Sequence, residues 1–132
     1  EDPARHRRGA PAATGALEAG PSFWEPQISK LTEVRNLVLN ELEALHSVAT
    51  VARAKGAFYV LVRINSAARP MEVIRHLVEN HRVAAIPGTA FGLESGCFLR
   101  LAYAALPKES IVEGVGRFIQ GVQSFVHSSQ SP

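Results

Sequence analysis

The 132-residue sequence lacks the features of secreted and membrane proteins. It has a single cysteine, Cys97, so no internal disulfide can form and a reducing compartment, the cytoplasm, is expected. No apolar signal segment opens it. Its longest charge-free stretch in the body of the chain, 83–93, is interrupted by Pro87 and Gly88 and is shorter than the ~20 apolar residues of a membrane span. We therefore expect no membrane association.

The sequence also lacks a large excess of either positive or negative charge. The chain carries 14 Lys and Arg against 12 Asp and Glu, a net charge of +2, without the basic stripe and interleaved aromatic residues that a nucleic-acid surface needs. Clustered acids and cysteines are absent, and the five-residue spacing of His76 and His81 predicts different sides of a helix. We expect neither a nucleic-acid partner nor a metal site.

What the chain does have is enough apolar residues, 46%, for one core at this length. Residues 1–22 are rich in Gly, Pro and Ala, which predicts a loose N-terminal arm. A short helix near 12–19 is compatible with this composition. Residues 23–127 predict the folded domain. The Ser-rich end, 128–132, predicts a disordered tail.

Hydrophobic periodicity within the domain predicts alternating helices and strands. A helix over 28–45 has Pro26 in its first turn, and the apolar run 57–64 predicts a strand buried on both faces. The remaining predicted segments are a helix over 70–80, a short strand over 83–86, a strand over 97–103 and a helix over 111–125. This order predicts the α/β class: an α+β-like small domain with a mixed, mainly antiparallel sheet of three to four strands and helices on one face.

Arg100 is the leading candidate for chemistry, because it lies in the middle of a predicted strand. A guanidinium does not lose its proton in proteins, so a buried face would require an anion beside it. One interpretation is an ion pair with Glu94 or Glu109, the nearest acids in sequence, or a side chain that reaches the sheet edge. The other is a bidentate clamp for a ligand carboxylate.

The segment 87–92 follows a predicted strand end and contains two glycines. Gly88, Thr89 and Phe91 would border a ligand there, or the segment is a plain connection, since it matches neither a phosphate-binding nor a dinucleotide-binding pattern. Cys97 has no histidine close in sequence, which favours a packed thiol over a nucleophile.

Three segments, taken together, resemble a known family. They are 56–59 (Gly-Ala-Phe-Tyr), 83–92 (Val-Ala-Ala-Ile-Pro-Gly-Thr-Ala-Phe-Gly) and 98–103 (Phe-Leu-Arg-Leu-Ala-Tyr). In this order, followed by an amphipathic helix, they resemble the C-terminal small domain of the class I/II aminotransferases, fold-type I enzymes that use pyridoxal phosphate. The resemblance covers about 21–126, whereas 1–11 departs from the family.

The resemblance implies that Arg100 binds the α-carboxylate of an amino-acid substrate and that Gly88, Thr89 and Phe91 line the same site. It implies a reaction that moves an amino group between an amino acid and a 2-oxo acid, in an enzyme that is a homodimer. No catalytic, cofactor-binding or metal residue is assigned in this chain.

Transamination with pyridoxal phosphate also needs a lysine for the Schiff base. Ser29-Lys30 imitates the family's Ser-Lys pair, but the helical pattern places Lys30 on a solvated surface, and Lys55 and Lys108 fit no better. The chain is therefore expected to be a fragment, inactive alone, with the cofactor held in the complete enzyme by a large domain absent here.

Two other interpretations stay open. The same alternation of helices and strands suits a small amino-acid-sensing regulatory module of ferredoxin-like topology, in which Arg100 holds an effector carboxylate without catalysis. The other is a structural or dimerisation domain without a ligand.

Overall fold

A computed structural model describes the backbone of residues 3–104 and 107–130 and the side chains of 11–104 and 107–129. These residues form two compact units, the first ending at Glu33 and the second beginning at Val34. The second unit contains the sheet. None of the helices found in the described ranges is both long enough and apolar enough to cross a bilayer.

Two helices occupy the start of the described chain. Helix α1, Pro3–Glu18, is longer than the short helix expected near 12–19. Gly20, with a φ of +79°, separates it from α2, Pro21–Leu42. Because Pro21 opens α2, Pro26 lies inside this helix, and its predicted place in the first turn is wrong. The predicted boundary between arm and domain, at 22/23, falls within α2.

Within the described ranges, four strands form one antiparallel sheet. In spatial order they are β1 (Ala49–Val51), β2 (Tyr59–Ile64), β4 (Cys97–Ala102) and β3 (Ile86–Pro87). The predicted fold class is confirmed. Strand β3 is displaced from the expected 83–86, and β1 was not predicted because three residues carry almost no periodicity. Since β1 leads directly into β2 without a helix, the connectivity differs from the β-α-β-β-α-β order of a ferredoxin-like module.

The two faces of the sheet differ in burial. The paired residues of β2 and β4 on one face are buried, and they share a core with residues of α2, α3 (Pro70–His81) and α4 (Lys108–Gln130). The opposite face is half-buried or exposed, and we call it the open face; its residues on β2 and β4 are Tyr59, Leu61, Arg63, Phe98, Arg100 and Ala102. The prediction that β2 is buried on both faces is therefore wrong, because the helical core covers one side only.

Helices α3 and α4 meet around a polar cluster. The Nε2 atoms of His76 and His81 lie 2.9 Å and 3.1 Å from Oγ of Ser124, and the two rings are 5.3 Å apart. The prediction that these histidines lie on different sides of a helix is wrong, because both rings turn toward Ser124 of α4. Burial and the neighbouring His81 lower the pKa of His76. No set of three or more metal-ligating His, Cys, Asp or Glu is found among the described residues.

Helix α4 ends at Gln130, three residues into the segment expected to be a tail, while 131–132 lie outside the described residues. Its glycines differ in their surroundings. A Cβ at Gly121 would fall 3.0 Å from Cδ2 of His81 and closer still to Cδ2 of the fully buried Leu77, whereas a Cβ at Gly114 would meet nothing within 4 Å. Gly121 is thus required by the contact between α3 and α4.

We predict opposite effects of alanine at these two glycines. Gly121→Ala should lower the free energy of unfolding by about 1–3 kcal/mol, because the added methyl group overpacks the contact with Leu77. Gly114→Ala is the matched control and should raise it by about 0.5–1 kcal/mol through helix propensity. Urea denaturation followed by circular dichroism measures both. Equal stabilisation by the two changes would mean that α3 and α4 do not pack as closely as described.

Candidate functional site

Arg100 lies in the centre of the sheet, on β4, opposite Leu61 of β2 and Ile86 of β3. Its guanidinium contacts two aromatic rings. The Cζ atom is 3.9 Å from the ring centroid of Phe91 and 4.8 Å from that of Tyr59. Both distances are within the range of cation–π attraction, so the rings stabilise the charge and restrict the side chain at the same time.

The charge of Arg100 has no acidic partner among the described side chains. The ion pairs found there join other residues: Arg53 with Glu43, Arg69 with Glu72, and Arg117 with Glu113. The expected pairing of Arg100 with Glu94 or Glu109 is not observed in this part of the chain. The interpretation that leaves the charge for a ligand carboxylate is the one this geometry favours.

The nitrogens of the guanidinium differ in access. Nε is buried and has no hydrogen-bond partner in the described part of the chain. Nη1 and Nη2 are not among the buried, unpartnered atoms. An unpaired buried donor costs free energy, which the neighbouring rings offset in part. A ligand could therefore pair only with the Nη end of the side chain, since Nε is enclosed.

Of the predicted lining residues Gly88, Thr89 and Phe91, which follow β3, not all lie beside Arg100. A short 3-10 helix, Gly88–Phe91, places Phe91 against the guanidinium and buries Gly88 against β4. Thr89 is exposed and lines a cavity of about 460 Å³ together with residues of the first turns of α3, a cavity that Arg100 does not line. Of the three predicted lining residues, Phe91 contacts Arg100 and Thr89 faces a different space.

Tyr59 is the site residue that sequence reasoning missed. The alternation of β2 places it on the same face as Leu61, but the register that brings it diagonally beside Arg100 depends on pairing between distant segments. Tyr59 pairs with Ala102 of β4. The two residues before Tyr59 are held by Tyr103, which follows β4: its backbone N–H donates to the Phe58 carbonyl at 3.1 Å and its hydroxyl donates to the Ala57 carbonyl at 2.8 Å. The ring of Phe58 also meets Tyr59 edge-on at 5.7 Å.

The three lysines of the sequence do not belong to this site. Lys30 is exposed on α2, Lys55 is exposed between β1 and β2, and Lys108 is exposed at the start of α4. Each lies outside the strands and the 3-10 helix that surround Arg100. A Schiff-base lysine has to sit within a site that holds the cofactor, so the described residues do not fit pyridoxal phosphate.

Cys97, at the start of β4, is buried and faces the core. Burial, with a smaller contribution from Glu72, raises the pKa of its thiol to about 11. A nucleophilic cysteine needs the opposite shift, so Cys97 packs as a small apolar side chain.

We predict that Cys97 is unreactive in the folded protein. With a pKa of about 11 the thiolate fraction near neutral pH is very small, and alkylation by iodoacetamide should be about 100-fold slower than for a free thiol. Mass spectrometry of timed samples measures the rate, and the same reaction in guanidinium chloride is the control. Equal rates in the folded and unfolded protein would show that Cys97 is not buried.

The chain is similar to one family of enzymes. The model of that family, described as aminotransferase class I and II, matches residues 6–118. Aspartate aminotransferase of Pyrococcus horikoshii is 32% identical over 100 residues, which are 75% of this chain and 25% of the relative. A probable aspartate/prephenate aminotransferase of Aquifex aeolicus is 31% identical over 121 residues, 85% of this chain and 30% of the relative.

A solved structure has the same fold. The α-aminoadipate aminotransferase of Thermus thermophilus, complexed with N-(5'-phosphopyridoxyl)-L-leucine, superposes with a TM-score of 0.72 at 26% identity, over 84% of this chain and 29% of that one. The chain thus spans 25–30% of the length of these relatives. The family match begins at residue 6, so it includes residues 6–11, although the sequence analysis set the whole segment 1–11 apart from the family.

Proposed function

The chain belongs to the family of class I and II aminotransferases, and on that premise we propose that it is the substrate-carboxylate-binding small domain of a pyridoxal-phosphate-dependent aminotransferase. The complete enzyme would move an amino group between an amino acid and a 2-oxo acid. Arg100 is the substrate-binding residue of this proposal.

One observation carries the proposal: the Arg100 guanidinium lies half-buried on the open face without an acidic partner in the described chain. With Nε buried, a carboxylate meets the guanidinium end-on, one oxygen to Nη1 and one to Nη2. Each such charge-assisted hydrogen bond contributes about 1.5–3 kcal/mol.

The α-carboxylate is the group that Arg100 suits best. Amino acids and 2-oxo acids share it, so one guanidinium serves both substrates of a transamination. The relatives named for aspartate and for α-aminoadipate differ in the amino acid, which favours assigning Arg100 to the shared group and leaves the side chain to other residues. A bidentate grip also fixes the orientation of the carbon next to the carboxylate.

The cofactor and its lysine are proposed to belong to another part of a longer polypeptide, because Lys30, Lys55 and Lys108 are all exposed and lie outside the site. This chain is then inactive alone. We further propose that the complete enzyme is a homodimer, as the family resemblance implies, and that it is cytoplasmic, in keeping with a single buried and unpaired cysteine.

We predict that Arg100 governs carboxylate binding. Two-dimensional NMR titration of the chain with 2-oxoglutarate should give saturable shifts around Arg100. Arg100→Lys should weaken binding about 10-fold, because lysine cannot form the bidentate contact, and Arg100→Ala should weaken it further.

Arg117→Lys is the matched control, since Arg117 already pairs with Glu113 on α4. It should leave the affinity unchanged, and amide spectra should show every variant folded. Absence of saturable binding by the unaltered chain, or binding that Arg100→Ala leaves intact, would contradict the proposal.

We also predict no transamination by the chain alone. Mixed with pyridoxal phosphate, L-aspartate and 2-oxoglutarate, it should release no oxaloacetate above the rate of the cofactor in buffer. A stable Schiff-base absorbance band that one Lys→Ala change at 30, 55 or 108 abolishes would show that a cofactor lysine is present after all.

A further inference from the structure

The ring of Phe91 lies against the guanidinium of Arg100. An arginine side chain on an open sheet face has many rotamers, and binding a ligand through it costs the freedom that is lost. Contact with the rings of Tyr59 and Phe91 restricts that freedom before a ligand arrives. We propose that Phe91 and Gly88 are positioning residues that preorganise Arg100 for its carboxylate ligand, an inference that rests on the proposed function.

Phe91 is placed to act on the guanidinium and not to fill the core. It is 47% exposed, yet its ring centroid is the nearer of the two to Cζ of Arg100, at 3.9 Å against 4.8 Å for Tyr59. Tyr59 belongs to a strand, so the sheet fixes its backbone. Phe91 ends a 3-10 helix, so its contact with Arg100 depends on how that helix rests on the sheet.

Gly88 determines how closely the 3-10 helix packs against β4. A Cβ at this position would lie 2.6 Å from Cβ of Phe98 and 3.2 Å from both the Phe98 carbonyl oxygen and Cβ of Leu93. No residue with a side chain fits without moving the turn away from β4. Phe98 lies two residues before Arg100 on the same face, so the close approach at Gly88 also brings Phe91 onto the guanidinium.

The turn is closed by its own backbone, which makes it move as one piece. The Leu93 N–H donates to the Gly88 carbonyl at 3.1 Å, and the Gly92 N–H donates to the Thr89 carbonyl at 3.3 Å. Gly92 has a φ of +81°, a conformation that favours glycine. A displacement at Gly88 is therefore transmitted to Phe91 and is not absorbed between them.

The consequence for the ligand is a guanidinium with a fixed orientation. The two rings contact the guanidinium, and Nε is buried without an acceptor in the described chain, so the Nη atoms are the ones left for a ligand. Phe91 thereby contributes to carboxylate affinity without offering a hydrogen bond, and Gly88 contributes by letting the turn approach β4.

The test is NMR of the arginine Nε–H resonances of the chain, with and without 2-oxoglutarate. In the unaltered protein the Arg100 Nε–H should be shifted upfield by the two rings and should exchange slowly with water, because Nε is buried. Phe91→Leu should return the resonance toward that of an unstacked arginine and weaken 2-oxoglutarate binding by about 3- to 10-fold.

Two further variants distinguish the positioning of Arg100 by an aromatic ring from a simple effect of side-chain size. Phe91→Tyr keeps an aromatic ring and should retain both the upfield shift of the Arg100 Nε–H resonance and the affinity for 2-oxoglutarate, unlike Phe91→Leu. Gly88→Ala should lose both although Phe91 is intact. Gly56→Ala is its control, since a Cβ there would meet nothing within 4 Å, and it should change neither.

The outcomes distinguish this inference from the proposed function. Binding that Arg100→Ala abolishes but Phe91→Leu and Gly88→Ala leave unchanged would overturn the positioning role and keep the carboxylate role. An Arg100 Nε–H resonance that does not respond to Phe91→Leu would overturn it as well. Binding indifferent to Arg100 itself would instead remove the proposed function.

Discussion

The structure depends on where one permanent positive charge is placed. Arg100 is in the central pair of strands, where a buried charge would need an acid, and the described chain supplies two aromatic rings in place of one. Rings attract a guanidinium without neutralising it. The charge is thus stabilised enough to stay in the sheet and remains available to an anion from outside, which is what a carboxylate-binding site requires.

The site exists because the helical core covers only one face of the sheet. Alternation along β2 and β4 sends Val62 and Leu99 into that core and sends Leu61 and Arg100 to the other side. A sheet covered on both sides would have to neutralise Arg100 internally. Because Gly88 has no side chain, its turn packs closely against Phe98 and brings the ring of Phe91 to Arg100. The site therefore depends on the alternation of the strands and on this glycine.

Most of this architecture follows from sequence pattern, and the exceptions have physical causes. Apolar periodicity predicts α3, α4 and the central strands. The carboxylate role of Arg100 is one of two interpretations of the residues, and the family resemblance is what implies it. The strand β1 is too short to show a period, and the burial of β2 on one face depends on where helices pack. The ring of Tyr59 and the meeting of His76 with His81 come from register and helix contacts, which join residues distant in sequence.

Our central proposal is that the carboxylate that pairs with the Arg100 guanidinium belongs to a ligand. The most direct measurement is a crystal structure, with a bound 2-oxo acid, of the longer aminotransferase polypeptide to which we propose this chain belongs. We expect the two α-carboxylate oxygens at about 2.7–2.9 Å from Nη1 and Nη2, with Phe91 and Tyr59 still in contact with the guanidinium. An Arg100 paired with an Asp or Glu of the protein, with the ligand carboxylate held elsewhere, would contradict the account.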